Sequence, residues 1–370
     1  MRRAVLVVLA AAGLITLIVV VARVGSSYEC DWTGFGRCVE PVPEGSELRR
    51  AKTLWDWMEL LVVPFVLALG GALLARSEKV RERRLSADRE ALERSLAEDR
   101  QREDALQHYF DRITELLVSG GLKMAPLDPE PGSQGEHTIR INLTARARTL
   151  TVLRRLDGSR KGEVIRFLSE LHLIRDDNCV IPLDGADLRG AQLAGQLLER
   201  TRFSGVNLEG ANLRGALLKE ANLNSSKLAR ADLSQAYLGR ATMFSADLSM
   251  ANLDDADLAG CLADGAKFVS ASLKGASFRP LITRDEERNV VSKRATLVAA
   301  DFSTAELDGA VFEGAWLADA KFVGARLARV TCKRSDFTDA DFTGASMTDA
   351  SFEDCPGAGA ERSDGGDDAD

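Results

Sequence analysis

Residues 206–235 read VNLEG-ANLRG-ALLKE-ANLNS-SKLAR-ADLSQ, and the third residue of every block of five is leucine. A helix repeats every 3.6 residues and a strand every two, so neither brings every fifth side chain to one face. The period extends outward in both directions. Stepping by five from Leu183 to Phe278 passes through twenty positions that hold fifteen Leu, three Phe, one Met and one Ala. Two residues before each stands a small residue, as at Ala186, Ala211, Ala221, Ala231, Ala246, Ala251 and Ala271. Between the two lies a polar one, such as Asp187, Asn207, Asn212, Asn222, Asp232 or Asn252. After an interruption at 279–296 the frame resumes one residue out of phase at Leu297, and twelve positions lead to Phe352.

A coil with corners accounts for this period. If each pentapeptide forms one side of a square, its large and small residues point inward and the other three face solvent. Four sides close a coil, so thirty-two repeats make about eight coils, and at roughly 4.8 Å per coil they stack to about 38 Å. A core of Leu and Ala suits a chain of 370 residues that is 45% hydrophobic and only 6% aromatic. Ala263 and Cys332 depart from the large slot; Cys261, larger than the usual Ala, or Leu262 fills the space that Ala263 leaves, and the Cys332 thiol reads as buried and inert. The charged insertion from Arg284 to Arg294 reads as a solvent loop off one corner.

The A(D/N)Lxx pattern resembles that of the pentapeptide-repeat proteins. The resemblance covers about 170 residues, and it implies an all-β right-handed quadrilateral β-helix over 181–352. The preceding stretch, with Asp88 to Leu92, Arg146 to Gly158 and Arg166-Phe167-Leu168, resembles the membrane-anchored bacterial branch of that family. The resemblance implies a fold and no particular activity.

Ahead of the repeat, Ala4 to Ala22 form an uncharged apolar run of 19 residues, close to the roughly 20 that cross a bilayer. It is longer than the apolar core of a signal peptide. A second expected span, 54–75, carries Trp55 and Trp57 at one end and Arg76, Lys79, Arg81, Arg83 and Arg84 beyond the other. Residues 1–75 therefore read as an anchor of two transmembrane helices in the inner (plasma) membrane, with both termini cytoplasmic and a short external loop. Asp56 and Glu59 sit near the Trp-marked end, where interfacial water solvates them. Cys30 and Cys38 fall in the external loop, where either a disulfide or two free thiols fits their spacing.

Residues 76–180 read as a cytoplasmic helical linker and cap. No Pro or Gly interrupts 76–117, and good helix formers dominate it. Its sparse apolar stripe leaves a short coiled-coil seam, and with it a homo-oligomer, open. A Gly-, Pro- and Ser-rich break at 119–137 precedes two expected helices, Leu143 to Leu156 and Lys161 to Ile174. Their basic residues, Arg146, Arg148, Arg154, Arg155, Arg160, Lys161 and Arg166, admit three readings: a cap on the solenoid, a surface for anionic lipid, or a DNA-binding helix-turn-helix. The cap is the preferred one. Residues 353–370 read as an acidic, disordered tail.

The net charge of −8 gathers in that tail and leaves no basic surface suited to nucleic acid. No phosphate-binding loop, catalytic triad or metal-ligand spacing occurs, so neither an enzyme nor a cofactor is expected. The leading function is a membrane-tethered scaffold that presents rod faces to a partner protein and also meets membrane lipid. One alternative is a DNA-mimicking regulator of a DNA-binding protein, but charge summed by side over the first five coils stays near neutral. Another is a channel or transport component assembled from the spans. Leu197, Leu217 and Tyr237 replace the polar residue before the large slot at spacings of one coil, so they should stack as an apolar interaction patch. Its cover is either the helical middle, the preferred reading because Leu197 lies in the first coil, or a partner.

Overall fold

The computed structural model describes residues 54–124, 133–284 and 290–358. The chain divides into two compact units, Met1–Leu96 and Ala97–Asp370. Helix α1 spans Leu54–Val118 and contains Pro64. Among the described residues no helix is long and apolar enough to cross a membrane. The expected span at 4–22, the pair Cys30 and Cys38, and tail residues 359–370 lie outside the described residues, as do the side chains at 54–63.

Two shorter helices follow, and their limits differ from the expected ones. Helix α2, Gln134–Leu153, begins nine residues early because Ser133 caps it, its Oγ accepting the Glu136 N–H. Helix α3, Gly158–Glu170, is capped by Asp157, whose carboxylate accepts from the N–H groups of Ser159 and Arg160. The helical layer is sealed by Leu106, Ile113, Ala145, Leu153, Val164, Ile165 and Leu168, all fully buried. The buried hydroxyl groups of Tyr109 and Thr149 meet at 2.9 Å across it.

The repeat forms a parallel β-helix. Each polar position bridges its counterpart twenty residues later, as Asp187 does Asn207 and Leu197 does Leu217, so four pentapeptides make one coil. Eight coils result. Every large slot from Leu183 to Phe337 is at most 1% exposed. The first half of the core is mostly leucine, whereas the second contains stacked phenylalanines. Phe268, Phe302, Phe322 and Phe342 follow one another at 4.8, 5.0 and 4.9 Å between ring centroids.

Most corners are four-residue turns in which the N–H three residues after the slot donates to the slot carbonyl, as Ala191 does to Leu188 at 3.1 Å, whereas Ala315 donates to Ser335 Oγ instead. The turn's third residue takes a positive φ, +65° at Gly190 and +56° at Arg200, as a type II turn requires. The polar residue before the slot stabilises the corner as well. Asp187, Asn207, Asn212, Asp232 and Asp257 each accept, through a side-chain oxygen, the N–H two residues ahead. That bond explains why Asp and Asn recur there.

The interruption preserves the coil by leaving it. Across it the bridge offset widens from twenty residues to thirty-four, as in Leu262 to Thr296 and Lys267 to Asp301. The excess includes strands β2, Leu281–Arg284, and β3, Val290–Lys293, which pair antiparallel. The expected loop is thus an excursion with a β-hairpin stem, favoured by the β-branched residues Ile282, Thr283, Val290 and Val291. Strand β1, Ser277–Phe278, pairs with β4, Val311–Glu313, which continues to β5, Thr331–Lys333, and β6, Ser351–Glu353.

Candidate interaction surface

The first coil presents backbone groups that no earlier coil can pair, and such open edges are costly when buried or left to aggregate. The helical layer supplies the partners. Gln192 N–H donates to the Gly158 carbonyl at 2.8 Å, and Arg202 N–H donates to that of Ile174 at 2.8 Å. Arg146 donates to the carbonyls of Pro182 and Asp184, Lys161 to that of Arg189, and Ser169 to that of Leu197. Gln196 occupies an alanine slot, 7% exposed, and its amide donates to the Gly162 carbonyl.

The seven basic residues of this layer therefore separate by role. Arg146 and Lys161 close the solenoid. Arg160 binds Asp99, Glu103 and Asp157, which raises its pKa further. Arg148, Arg154, Arg155 and Arg166 stay exposed. Neither short helix is free to enter a DNA groove from its packed face.

The three apolar residues singled out in the sequence occupy one side of successive coils. Leu197 bridges Leu217, and Leu217 bridges Tyr237. Leu197 is 69% exposed and Tyr237 53%, while Leu217 is half-buried. The helical layer leaves them uncovered even though Ser169 reaches the Leu197 carbonyl. None of the three side chains can accept the corner N–H that Asp or Asn accepts elsewhere. The row thus gives up hydrogen bonds and exposes apolar area together.

Charges on neighbouring corners pair along the solenoid. Glu220 lies 2.9 Å from Arg200 and 2.8 Å from Arg240, one coil to either side. Partial burial opposes its charge, yet these two arginines hold its carboxyl below the usual range. Arg326 similarly binds Asp308 at 2.7 Å. Acid groups so neutralised do not form the continuous negative face that imitating DNA needs.

Cys261 is fully buried and Cys332 nearly so, and burial pushes both thiols up. Burial pushes the Cys179 thiol up to about 11. All three are poor nucleophiles at neutral pH. Among the described residues no group of His, Cys, Asp and Glu could hold a metal ion.

Comparison with known proteins bears on the solenoid. The family model described as pentapeptide repeats matches eight copies, over 186–224, 216–258, 251–279 and 317–354. The chain is similar to HetL, a pentapeptide repeat protein involved in heterocyst differentiation regulation from the cyanobacterium Nostoc sp. strain PCC 7120. That match has 27% identity, a TM-score of 0.25, and covers 48% of this chain and 84% of HetL. A pentapeptide repeat protein of the Arabidopsis thaliana thylakoid lumen is 35% identical over 27% of this chain and 70% of its own, with a TM-score of 0.25. QnrB1, a plasmid-mediated fluoroquinolone resistance protein, is 18% identical over 45% of this chain and 78% of its own, with a TM-score of 0.23. No curated protein matches the chain.

Proposed function

Because this chain is a pentapeptide-repeat protein, we propose that it is a membrane-tethered scaffold whose β-helix holds a partner protein through the row Leu197, Leu217 and Tyr237. The row itself carries this reading: three consecutive apolar residues in register on one side of a solenoid whose equivalent positions are mostly polar, with Leu262, Val311 and Trp316 the scattered exceptions. A contiguous apolar patch on an otherwise charged surface marks a contact site. A rigid solenoid suits that role, since each coil is fixed by its neighbours and presents its faces without rearrangement.

The tether is supported by the uncharged run at 4–22. It is also supported by the exposed Leu67, Leu69, Leu73 and Leu74 in α1, followed by Arg76, Lys79, Arg81, Arg83 and Arg84. With both basic ends inside, the solenoid faces the cytoplasm at the inner membrane.

The test replaces Leu197, Leu217 and Tyr237 together by Asn. Each Asn restores a side-chain acceptor for a corner N–H, worth about 0.5 to 1.5 kcal/mol, so the variant should unfold at a higher temperature than the wild type. It should also lose the protein recovered with the wild-type chain from intact membranes. Retention of that partner by a more stable variant contradicts the proposal.

A further inference from the structure

A groove of about 430 Å³ runs between the second half of α1 and helix α2. Its floor is apolar, with Ile113 fully buried and Val152 nearly so, and the bonded pair Tyr109 and Thr149 seals it beneath. Its rims are basic: His108 and Arg112 on α1, Arg148 on α2 and Arg155 in the turn that follows α2. No Asp or Glu lines the groove.

The state of these arginines is what points to a ligand. Arg112 is bound by Glu115, and in the same layer Arg140, Arg146 and Arg160 each have carboxylate or carbonyl partners. Among the described residues Arg148, Arg154, Arg155 and Arg166 have none, and of these Arg148 and Arg155 border the apolar trough. Two unpaired guanidinium groups beside a concave apolar floor match an anionic head joined to an apolar body. The volume lies within the range of small-molecule sites and is too small for a protein helix.

We propose that this groove is a binding site for a small soluble anion, a phosphomonoester or carboxylate carried on an aromatic or short aliphatic body. Arg148 and Arg155 hold the anionic group, and the body lies against Ala105, Ala147 and the exposed edge of Val152. The site is separate from the apolar row on the solenoid and does not depend on a protein partner.

The test titrates the purified full-length chain with 1-naphthyl phosphate, followed by naphthyl fluorescence and by calorimetry. Saturable one-to-one binding is expected. The double variant Arg148→Ala, Arg155→Ala should weaken it at least tenfold, and Ala147→Trp, which fills the groove without changing charge, should abolish it. Circular dichroism melting curves matching the wild type confirm that both variants fold. Inorganic phosphate and 1-naphthol, each holding half of the ligand, should bind at least tenfold more weakly. The proposal is overturned by absent saturation, by binding that survives both variants, or by inorganic phosphate binding as tightly as the ester. Displacement of the ester by phosphatidylglycerol vesicles but not by phosphatidylcholine vesicles would assign the groove to lipid headgroups and overturn it as well.

Discussion

Lys161 of helix α3 and Asp187 of the first coil form an ion pair at 3.5 Å, with the lysine only 6% exposed. The same ammonium donates to the Arg189 carbonyl at 3.1 Å. One buried cation therefore joins the helical layer to the solenoid through both a charge and a backbone edge.

Removing one partner of such a pair costs more than removing the charge altogether, because the survivor stays buried and unpaired. Asp187→Ala should destabilise residues 97–370 by about 2 to 3 kcal/mol, near the low end for a broken buried pair because the Arg189 carbonyl remains. Lys161→Met leaves Asp187 served by Arg189 but takes the donor from the Arg189 carbonyl, and should cost about 1 kcal/mol, still less than Asp187→Ala. Chemical denaturation of the two variants checks the order, and equal losses would contradict it.

The pair also sets a pH dependence. Hydrogen bonding from Arg189, reinforced by the Lys161 charge and opposed by partial burial, holds the Asp187 carboxyl well below the usual carboxylate range. A carboxylate with a depressed folded-state pKa contributes stability above its unfolded value of about 3.9, and that contribution falls away as pH drops below it. The gap in melting temperature between wild type and Asp187→Asn should be full at pH 6 and should shrink from about pH 4 downward. A gap that is constant to pH 3 would show that Asp187 does not carry it.

Close approach at the cap makes a second contrast. A Cβ on Gly162 would lie 2.0 Å from the Gln192 carbonyl oxygen, whereas one on Gly190 meets open space at φ +65°. Gly162→Ala must push α3 off the first coil, at about 1 to 3 kcal/mol or more. Gly190→Ala should cost about 1 kcal/mol, from the left-handed backbone alone. Hydrogen exchange separates them: the Gly162 variant should expose the Gln192 and Arg202 amides, and the Gly190 variant should not.

Leu233 is fully buried and its neighbour Ser234 half-exposed. Leu233→Ala should cost about 2 to 5 kcal/mol through lost burial and a cavity. Ser234→Ala leaves intact the backbone N–H that donates to Asp232, and should change stability by less than about 0.5 kcal/mol. Equal shifts in the unfolding midpoint would place the inward register elsewhere.

The solenoid was legible because one residue in five repeats the same physical demand, and Leu233, Phe268 and Phe337 meet it alike. Even the phase slip at Leu297 has a structural meaning, since the offset of thirty-four residues absorbs it in the β2–β3 excursion. The cap was less legible, because its contacts are made once. Nothing local distinguishes Arg146, which closes the first coil, from Arg148, which does not; the difference comes from which side of α2 faces Pro182 and Asp184. Gln196 stands in the alanine column, and nothing beside it in the sequence marks the hydrogen bond its amide donates to the Gly162 carbonyl. Two signals were available: Ser133 stands three residues before Glu136, a helix-start pattern, and glycine recurs at the turn position occupied by Gly190, where φ is positive. The groove between α1 and α2 had no sequence signal, since it needs two helices brought together.

The apolar row is tested most directly by placing a photo-crosslinking amino acid at Leu197 or Tyr237 in the full-length chain, with Asn212 on an adjacent side as the control. Irradiation of intact cells should give the same discrete adduct from both row positions and none from Asn212. Adducts that form equally at all three positions, or at Asn212 alone, would contradict the scaffold account.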